Sequence, residues 1–426
     1  MALLEMPAGG LSAIKRAAKK VLPAFAQKKI KSFVQQRKGK QILQTQINPY
    51  EPGRYPEGIN LIGPIDGATG LGQSCRLLER VVAQLDVPYQ IINYNPNAVY
   101  HEDITGYRDK MGTELKYDIN LWHVNPSIFP NAFNDFGKSA FDGRYNIAYW
   151  LWELEDFPDE WVPYIHLLDE VWTPSEFISK SIRKKTSKPV CTVPYHVTAE
   201  TDIGHYNRKY FGLPEDKFLF LMMYDSQSIK ERKNPEGVMK AFQMAFSPKE
   251  ENVGLVIKVN SAEKKELDSI RSQMGTYHNM YFITDNLEKI QVNSLIACID
   301  VFVSLHRAEG FGLVMAEAML NKTPVIGTDW SANTEFMNSD VACMVKYEMK
   351  KLDHDILPYK KGNEWAEPDL EDAAGYMKRL YEDKMFYNEL SQKAYHYVCK
   401  KLGMEAAEQV LCEQIARIRE GISLGN

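Results

Sequence analysis

Among 426 residues there are only six cysteines, Cys75, Cys191, Cys298, Cys343, Cys399 and Cys412, and none stands in a CxxC pair or near a histidine at a ligand spacing. That scatter argues against a disulfide framework and a zinc site, and it suits a reducing compartment. No apolar run reaches the roughly 18 residues that a membrane-spanning helix requires, and no apolar segment with a small-residue cleavage site is found, so neither a span nor an export signal is expected. Internal repeats and low-complexity tracts are missing too.

Acidic residues are absent from Leu11 to Lys40, where Lys15, Arg16, Lys19, Lys20, Lys28, Lys29, Lys31, Arg37, Lys38 and Lys40 all fall. The net charge of -5 therefore averages a basic segment with a clearly acidic remainder. Ile14, Ala18, Val21, Leu22 and Phe25, then Ile30, Phe33 and Val34, recur at steps of three and four around Pro23, which predicts an amphipathic helix interrupted at the proline. Such a segment is either a solvated basic arm or a helix lying in the plane of an anionic membrane. With no second basic patch and no nucleic-acid-binding motif, nucleic acid is not an expected partner. The expectation is a cytoplasmic protein, peripheral on the inner face of the cell membrane.

The length and a 44% hydrophobic content predict two domains. Short apolar runs alternate with helix-length amphipathic stretches, the pattern of parallel α/β architecture. Strands are expected near Ile59 to Gly63, Tyr89 to Tyr94, Ile119 to His123, Asn146 to Tyr149 and Glu170 to Trp172. A second set is expected at Phe218 to Met223, Gly254 to Val259, Met280 to Thr284, Val301 to Leu305 and Pro324 to Gly327. The polar stretch from Tyr195 to Tyr210 reads as the linker, and the chain from Asp369 onward reads as helical. The predicted organisation is a basic extension at 1–50, one Rossmann-like domain at 51–200, a second at 201–390, and helices at 391–426 crossing back to the first.

The segment SLHRAEGFGLVMAEAM follows an apolar strand and places Glu309 at its exit and Glu317 eight residues later. Gly310 and Gly312 permit a sharp turn and close approach of backbone to ligand, and a helix starting near Gly312 offers free N–H groups and the positive end of its dipole to a diphosphate. Phe311 and Leu313 lie in the same turn. Glutamates titrate near ~4.3, so both carboxylates suit the role of hydroxyl acceptor, for which sugar and ribose hydroxyls are natural partners. In FLFLMMYDSQSIKERKNPEG, Arg232 and Lys233 stand at the start of a helix beginning at Pro235, placed to neutralise a diphosphate, with Ser226 and Ser228 just before them. In IDGATGLGQS, Gly70 and Gly72 open a helix after the first strand; Cys75 stands where a dinucleotide fingerprint would need a third glycine. His123, in NLWHVNPS, and Glu153 and Asp156, in YWLWELEDFPDEW, follow strands and are expected to face the cleft, because open α/β sheets bind ligands at strand carboxyl ends.

The spacing Glu309 to Glu317, within SLHRAEGFGL, resembles the E-x7-E signature of glycosyltransferase family four, in the form found in bacterial polysaccharide and lipopolysaccharide members. The RKNP segment is similar to the same subgroup, although many members carry an additional arginine where this chain has Asp225, Ser226 and Ser228. The resemblance runs from about Ile59 to the helices after Trp365, includes GNEWAEPDLEDAA, and omits the basic first 50 residues. It implies a GT-B fold, two Rossmann-like domains facing across a cleft, and retaining transfer of a hexose-type sugar from a nucleotide-diphosphate donor to a hydroxyl of a glycan or lipid-linked acceptor in cell-envelope polysaccharide synthesis. It also implies that Glu309 meets the donor sugar, Glu317 the ribose, Lys233 and Arg232 the pyrophosphate, the Gly70–Gly72 loop the donor phosphate and sugar, and His123 the sugar's hydroxymethyl group. Glu153 and Asp156 are then acceptor-side candidates. No cofactor or metal is expected, and the sole Asp-x-Asp, Asp353 to Asp355, is expected in a polar loop after the last sheet strand. Other readings are an epimerase or phosphorylase of the same architecture, or a non-catalytic sugar-nucleotide-binding or membrane-scaffold protein.

Overall fold

The computed structural model describes residues 42–96, 101–226, 228–261 and 264–421. The basic segment at 11–40, with its predicted membrane-facing helix, lies outside the described residues. The first unit runs β1 (Ile59–Gly63), α1 (Gly70–Val82), β2 (Tyr89–Asn93), β3 (Ile119–Trp122), α2 (Phe129–Phe136), β4 (Tyr145–Tyr149), β5 (Glu170–Thr173), α3 (Glu176–Arg183) and β6 (Val190–Thr192). Its strands are all parallel, in the order β2-β1-β3-β4-β5-β6. The second unit runs β7 (Phe218–Asp225), α4 (Lys230–Lys233), α5 (Pro235–Ala245), β8 (Val253–Asn260), α6 (Lys264–Met274), β9 (Met280–Ile283), α7 (Lys289–Ala297), β10 (Val301–Ser304), α8 (Leu313–Leu320), β11 (Val325–Thr328) and β12 (Cys343–Val345). These strands are parallel as well, ordered β12-β11-β10-β7-β8-β9. An antiparallel hairpin, β13 (Tyr347–Lys351) and β14 (Glu364–Pro368), precedes α9 (Leu370–Glu382), α10 (Lys384–Lys401) and α11 (Met404–Arg419).

Near-continuous apolar strands arise because helices cover both faces of each sheet. In β1, Leu61 joins one buried cluster while its neighbour Ile62 joins another on the opposite face. In β7, Leu219 and Leu221 face one side, and Phe220 and Met222 the other. A polar row crosses the first sheet: Asn60 Nδ2 donates to Asn120 Oδ1 and Asn120 Nδ2 to Asn146 Oδ1, each at 2.9 Å, with all three side chains buried. A one-residue slip of any of the three strands would leave these amides unpaired in the core, so the row specifies register.

The ten expected strands are present within a residue or two, and four strands, β6, β12 and the two of the hairpin, go beyond what the sequence pattern predicts. Strand β6 has three residues between Pro189 and Pro194, too few for a period-two pattern. The equally short β12 gives no pattern either. The hairpin strand β13 is largely exposed and carries Glu348, Lys350 and Lys351, so its composition reads as a loop. Asp353 and Asp355 accordingly sit in the hairpin connection between β13 and β14, where Asp353 bonds His354.

Helix α11 returns to the first unit. Arg417 pairs with the buried Glu170 of β5, and Arg419 with the buried Asp118, which also accepts from Tyr50 at 2.9 Å. His123 is equally internal. It was expected at the cleft, but its ring is buried beneath it, stacked on Tyr149 with centroids 5.2 Å apart, and Nε2 lies 2.6 Å from Ser74 Oγ. Ser74 also bonds Tyr195, so Nε2 of the imidazole is engaged in a buried network, whereas Nδ1 has no hydrogen-bond partner among the described residues.

Two stability measurements follow from these contacts. Arg417→Ala leaves the Glu170 carboxylate buried without its cation, and a loss of about 3 kcal/mol in urea unfolding is expected; an unchanged midpoint would refute a stabilising crossing helix. Burial depresses the His123 pKa to about 4, against ~6.5 in the unfolded chain. The unfolded state thus binds an extra proton between those values, so stability is full above about pH 6.5 and falls as pH drops toward 4, by roughly 3 kcal/mol. His123→Gln should remove that part of the pH dependence, and identical slopes for both proteins would exclude the assignment.

Candidate active site

In each sheet the strand order reverses at one place, between β1 and β3 in the first and between β7 and β10 in the second, and ligands of such sheets bind outside the carboxyl ends of the strands at these switch points. The two places face one another across a cleft of about 440 Å³. Thr69, Gly70 and Leu71 line it after β1, Asn125 after β3, and Leu151 and Glu153 after β4. From the other side come Tyr224 and Ser228 at and after the end of β7, Lys258 and Asn260 of β8, Lys289 of α7, and the turn from Glu309 to Leu313.

The RKNP segment forms a joint between two helices. Asn234 ends α4 in the left-handed conformation, with φ 52°, and its Oδ1 accepts from Gly237 N at 3.1 Å to cap α5, which begins at Pro235. Asn234 Nδ2 donates to Leu305 O at 2.9 Å, tying this joint to the exit of β10. Arg232 and Lys233 are thereby brought to Glu309. Lys233 bonds Glu309 Oε1, and Arg232 Nη1 lies 3.1 Å from the same oxygen and donates to Ala308 O at 2.9 Å. Burial alone would raise the Glu309 pKa, but Lys233 and Arg232 outweigh it and hold it at about 2. Burial opposes the Arg232 charge, yet the Glu309 and Glu153 carboxylates leave it more basic than usual. Lys233 is shifted down, because burial outweighs the attraction of Glu309 and Arg232 repels the same charge. At neutral pH the group is two cations around one carboxylate.

The two glycines of the turn do different work. Gly312 has φ +95°, where a side chain is strained, and a Cβ there would meet Met315 Cε at 2.4 Å. Gly310 is needed because the backbone of the first unit comes close, and a Cβ would stand 2.8 Å from Trp152 O. Past the turn, α8 directs its first-turn amides and the positive end of its dipole into the cleft at Leu313 and Val314. One turn further, the Glu317 carboxylate is buried, with the Lys289 ammonium 2.5 Å from Oε1 as its counter-charge.

The structure gathers Gly70, Glu153, Ser228, Arg232, Lys233, Glu309, Gly310, Phe311, Gly312, Leu313 and Glu317 around this cleft. It does not bring His123, Gly72, Ser226 or Asp156 into the lining. Gly72 is a packing glycine whose Cβ would fall 1.9 Å from Gly67 O. Ser226 Oγ donates to Ser261 O at 2.5 Å, and Asp156 points outward to Lys185 at 2.8 Å. Lys289, Lys258 and Tyr195 line the cleft without any local sequence signal to mark them, for they come from three separate segments. Burial pushes the Lys258 ammonium down to about 8 despite Asp225 and Asp285 nearby.

Three buried groups of the lining accept or donate no hydrogen bond within the described residues: Ser228 Oγ, Arg232 Nε and the Glu317 carboxylate, whose contact with Lys289 is an ion pair alone. Buried polar atoms are ordinarily satisfied, so three such groups around one cleft mark a place for a polar ligand.

Residues 206–397 match the family model described as glycosyl transferases group 1. Comparison with curated proteins gave no match. Among solved structures, the chain is similar to Anabaena HepE in complex with UDP-glucose, at 13% identity over 84% of this chain and 99% of that one, with a TM-score of 0.59. It is similar to sucrose-phosphate synthase from Thermosynechococcus elongatus, at 13% identity over 86% and 100%, with a TM-score of 0.60. It also resembles TarM, at 13% identity over 69% of this chain, with a TM-score of 0.52, and there it spans only 54% of the other protein. At these identities the likeness establishes the fold, two Rossmann-like units facing across a cleft, and with the family match over the second unit it shows that the chain is a glycosyltransferase of GT-B fold.

Proposed function

We propose that the cleft binds a nucleotide-diphosphate sugar and transfers a hexose-type sugar, with retention of configuration, to a hydroxyl of a glycan or lipid-linked acceptor. The observation that carries the donor reading is the convergence of Ser228 Oγ, Arg232 Nε and the Glu317 carboxylate, buried and short of hydrogen bonds, around the amide end of α8. A pyrophosphate accepts from the first-turn amides and lies against Lys233 and Arg232, while the ribose hydroxyls donate to Glu317. Glu309, held ionised, accepts from a hydroxyl of the donor sugar. The difficult part of such a reaction is the charge that develops on the leaving phosphate, and fixed cations and amides stabilise it without reorganising. The bond from the anomeric carbon to the phosphate oxygen breaks, the acceptor oxygen bonds to the same face, and the departing phosphate oxygen takes the acceptor proton. Retention, the hexose-type donor and a role in envelope polysaccharide synthesis rest on the motif resemblance around Glu309 and Glu317.

Nucleotide release across a panel of UDP-, GDP- and dTDP-sugars tests the activity. Glu317→Ala is expected to weaken nucleotide binding, whereas Glu309→Gln lowers turnover more than affinity, the division expected of a ground-state contact and one to the transferred sugar. Lys233→Ala should slow turnover by about a hundredfold, the effect of deleting one preorganised charge. Full activity in both the Glu309 and Lys233 variants would place the reaction elsewhere. Glu309 and Glu317 each have a lysine as counter-charge and the phosphates have Lys233 and Arg232, so the reaction proposed needs no divalent metal and turnover should persist in EDTA; loss on chelation with recovery on adding Mg²⁺ would overturn that part.

A further inference from the structure

The hairpin β13–β14 rises from the second unit beside the Glu309 turn and ends against the first. Its base is anchored where β10 exits: Ala366 N donates to Arg307 O at 2.9 Å, Arg307 forks onto Glu367 at 2.8 and 2.6 Å, and Arg307 N donates to Arg232 O at 2.8 Å. Its connection crosses the gap. There Lys360 meets Glu160 at 2.7 Å, and Tyr359 is 1% exposed with its ring edge-on to Trp152, centroids 5.4 Å apart. Leu352, Tyr359 and Trp365 share a buried cluster with Trp152, Phe157 and Trp161 of the first unit.

A phenol so deeply packed would be better replaced by phenylalanine unless its hydroxyl has a task. The hydroxyl donates to Glu153 Oε2 at 3.1 Å, and the other oxygen of Glu153 lies 3.9 Å from Arg232 Nη2. Glu153 lines the cleft on the side opposite α8, and its carboxylate is part of the environment that fixes the Arg232 charge. Burial and the Glu153 charge keep the phenol protonated far above neutral pH, so it serves as a donor throughout the physiological range.

We propose that Tyr359 is a positioning residue for glycosyl transfer: carried across the domain boundary by the hairpin, it holds the Glu153 carboxylate against Arg232 and so shapes the cleft wall that meets the acceptor. The assignment rests on the donor reading of the cleft given above and on Glu153 as its acceptor-side candidate. Its consequence is that acceptor use depends on a residue of the donor-side domain that touches neither substrate.

Tyr359→Phe keeps the ring in its packing and removes only the hydroxyl. The variant, Glu153→Gln and the double variant are compared with the wild type by calorimetric binding of UDP, GDP and dTDP, by thermal unfolding, and by nucleotide release from the donor panel with and without octyl glycosides as acceptors. Tyr359→Phe should bind nucleotide within twofold of wild type and unfold within a few degrees of it, yet lose about tenfold in acceptor-dependent kcat/KM. The double variant should be no worse than Glu153→Gln, because the hydroxyl acts through that carboxylate. Wild-type acceptor kinetics in Tyr359→Phe, additive losses in the double variant, or a nucleotide affinity that falls as far as acceptor use would each overturn the assignment while leaving the donor reading standing. A wild-type protein that binds no nucleoside diphosphate would overturn both.

Discussion

Two cations share one carboxylate at the centre of this protein. Arg232 and Lys233 both turn onto Glu309, in a place shielded enough that each charge alone would be costly. The carboxylate holds the cations in place, and the surplus positive charge remains directed into the cleft beside the amide end of α8. An anion with two phosphates is the ligand proposed for that place. A polar ligand in the same place also accounts for Ser228 Oγ and Arg232 Nε, which are buried without hydrogen-bond partners, and for the buried Glu317 carboxylate, whose contact is the Lys289 ammonium.

That centre depends on the first unit as much as on the second. Ser175 Oγ donates to Gly310 O at 2.9 Å, so the residue that caps α3 also holds the turn that carries Glu309. Glu335, from the second unit, accepts from the Glu176 and Phe177 amides at 3.0 and 2.8 Å, supplying the carboxylate that the positive end of α3 favours. Tyr195 packs on Phe311 with centroids 4.8 Å apart, and Phe311 on Phe336 at 5.3 Å. The apolar core therefore runs without interruption from one unit into the other beneath the cleft. The turn carrying Glu309 and Gly310 is held by contacts from both sides, as preorganised charge stabilisation requires.

Much of this architecture is legible in the order of the amino acids. The parallel strands announce themselves as short apolar runs, because sheets covered on both faces need no polar alternation. Arg232, Lys233, Glu309, Gly312 and Glu317 are readable since each sits in a local motif whose spacing decides its position: a strand exit, a glycine turn, a helix start. Gly310 is legible as a turn glycine, but the reason it must be glycine is not local, for the backbone that crowds it belongs to Trp152, 158 residues earlier.

His123 shows where such reasoning stops. Its place at the end of β3 follows from the sequence, but its burial and the bond from Nε2 to Ser74, which itself bonds Tyr195, come from other segments of the chain. Lys289, Lys258 and Tyr359 are invisible for the converse reason, being ordinary residues in ordinary stretches that the fold carries to the site. By itself the sequence determined the elements and the charges lying within a few residues of a turn, since local spacing and backbone geometry act over that range. Only the tertiary structure decided which side chains lack partners and which reach across the gap, because burial and pairing depend on neighbours tens to hundreds of residues away.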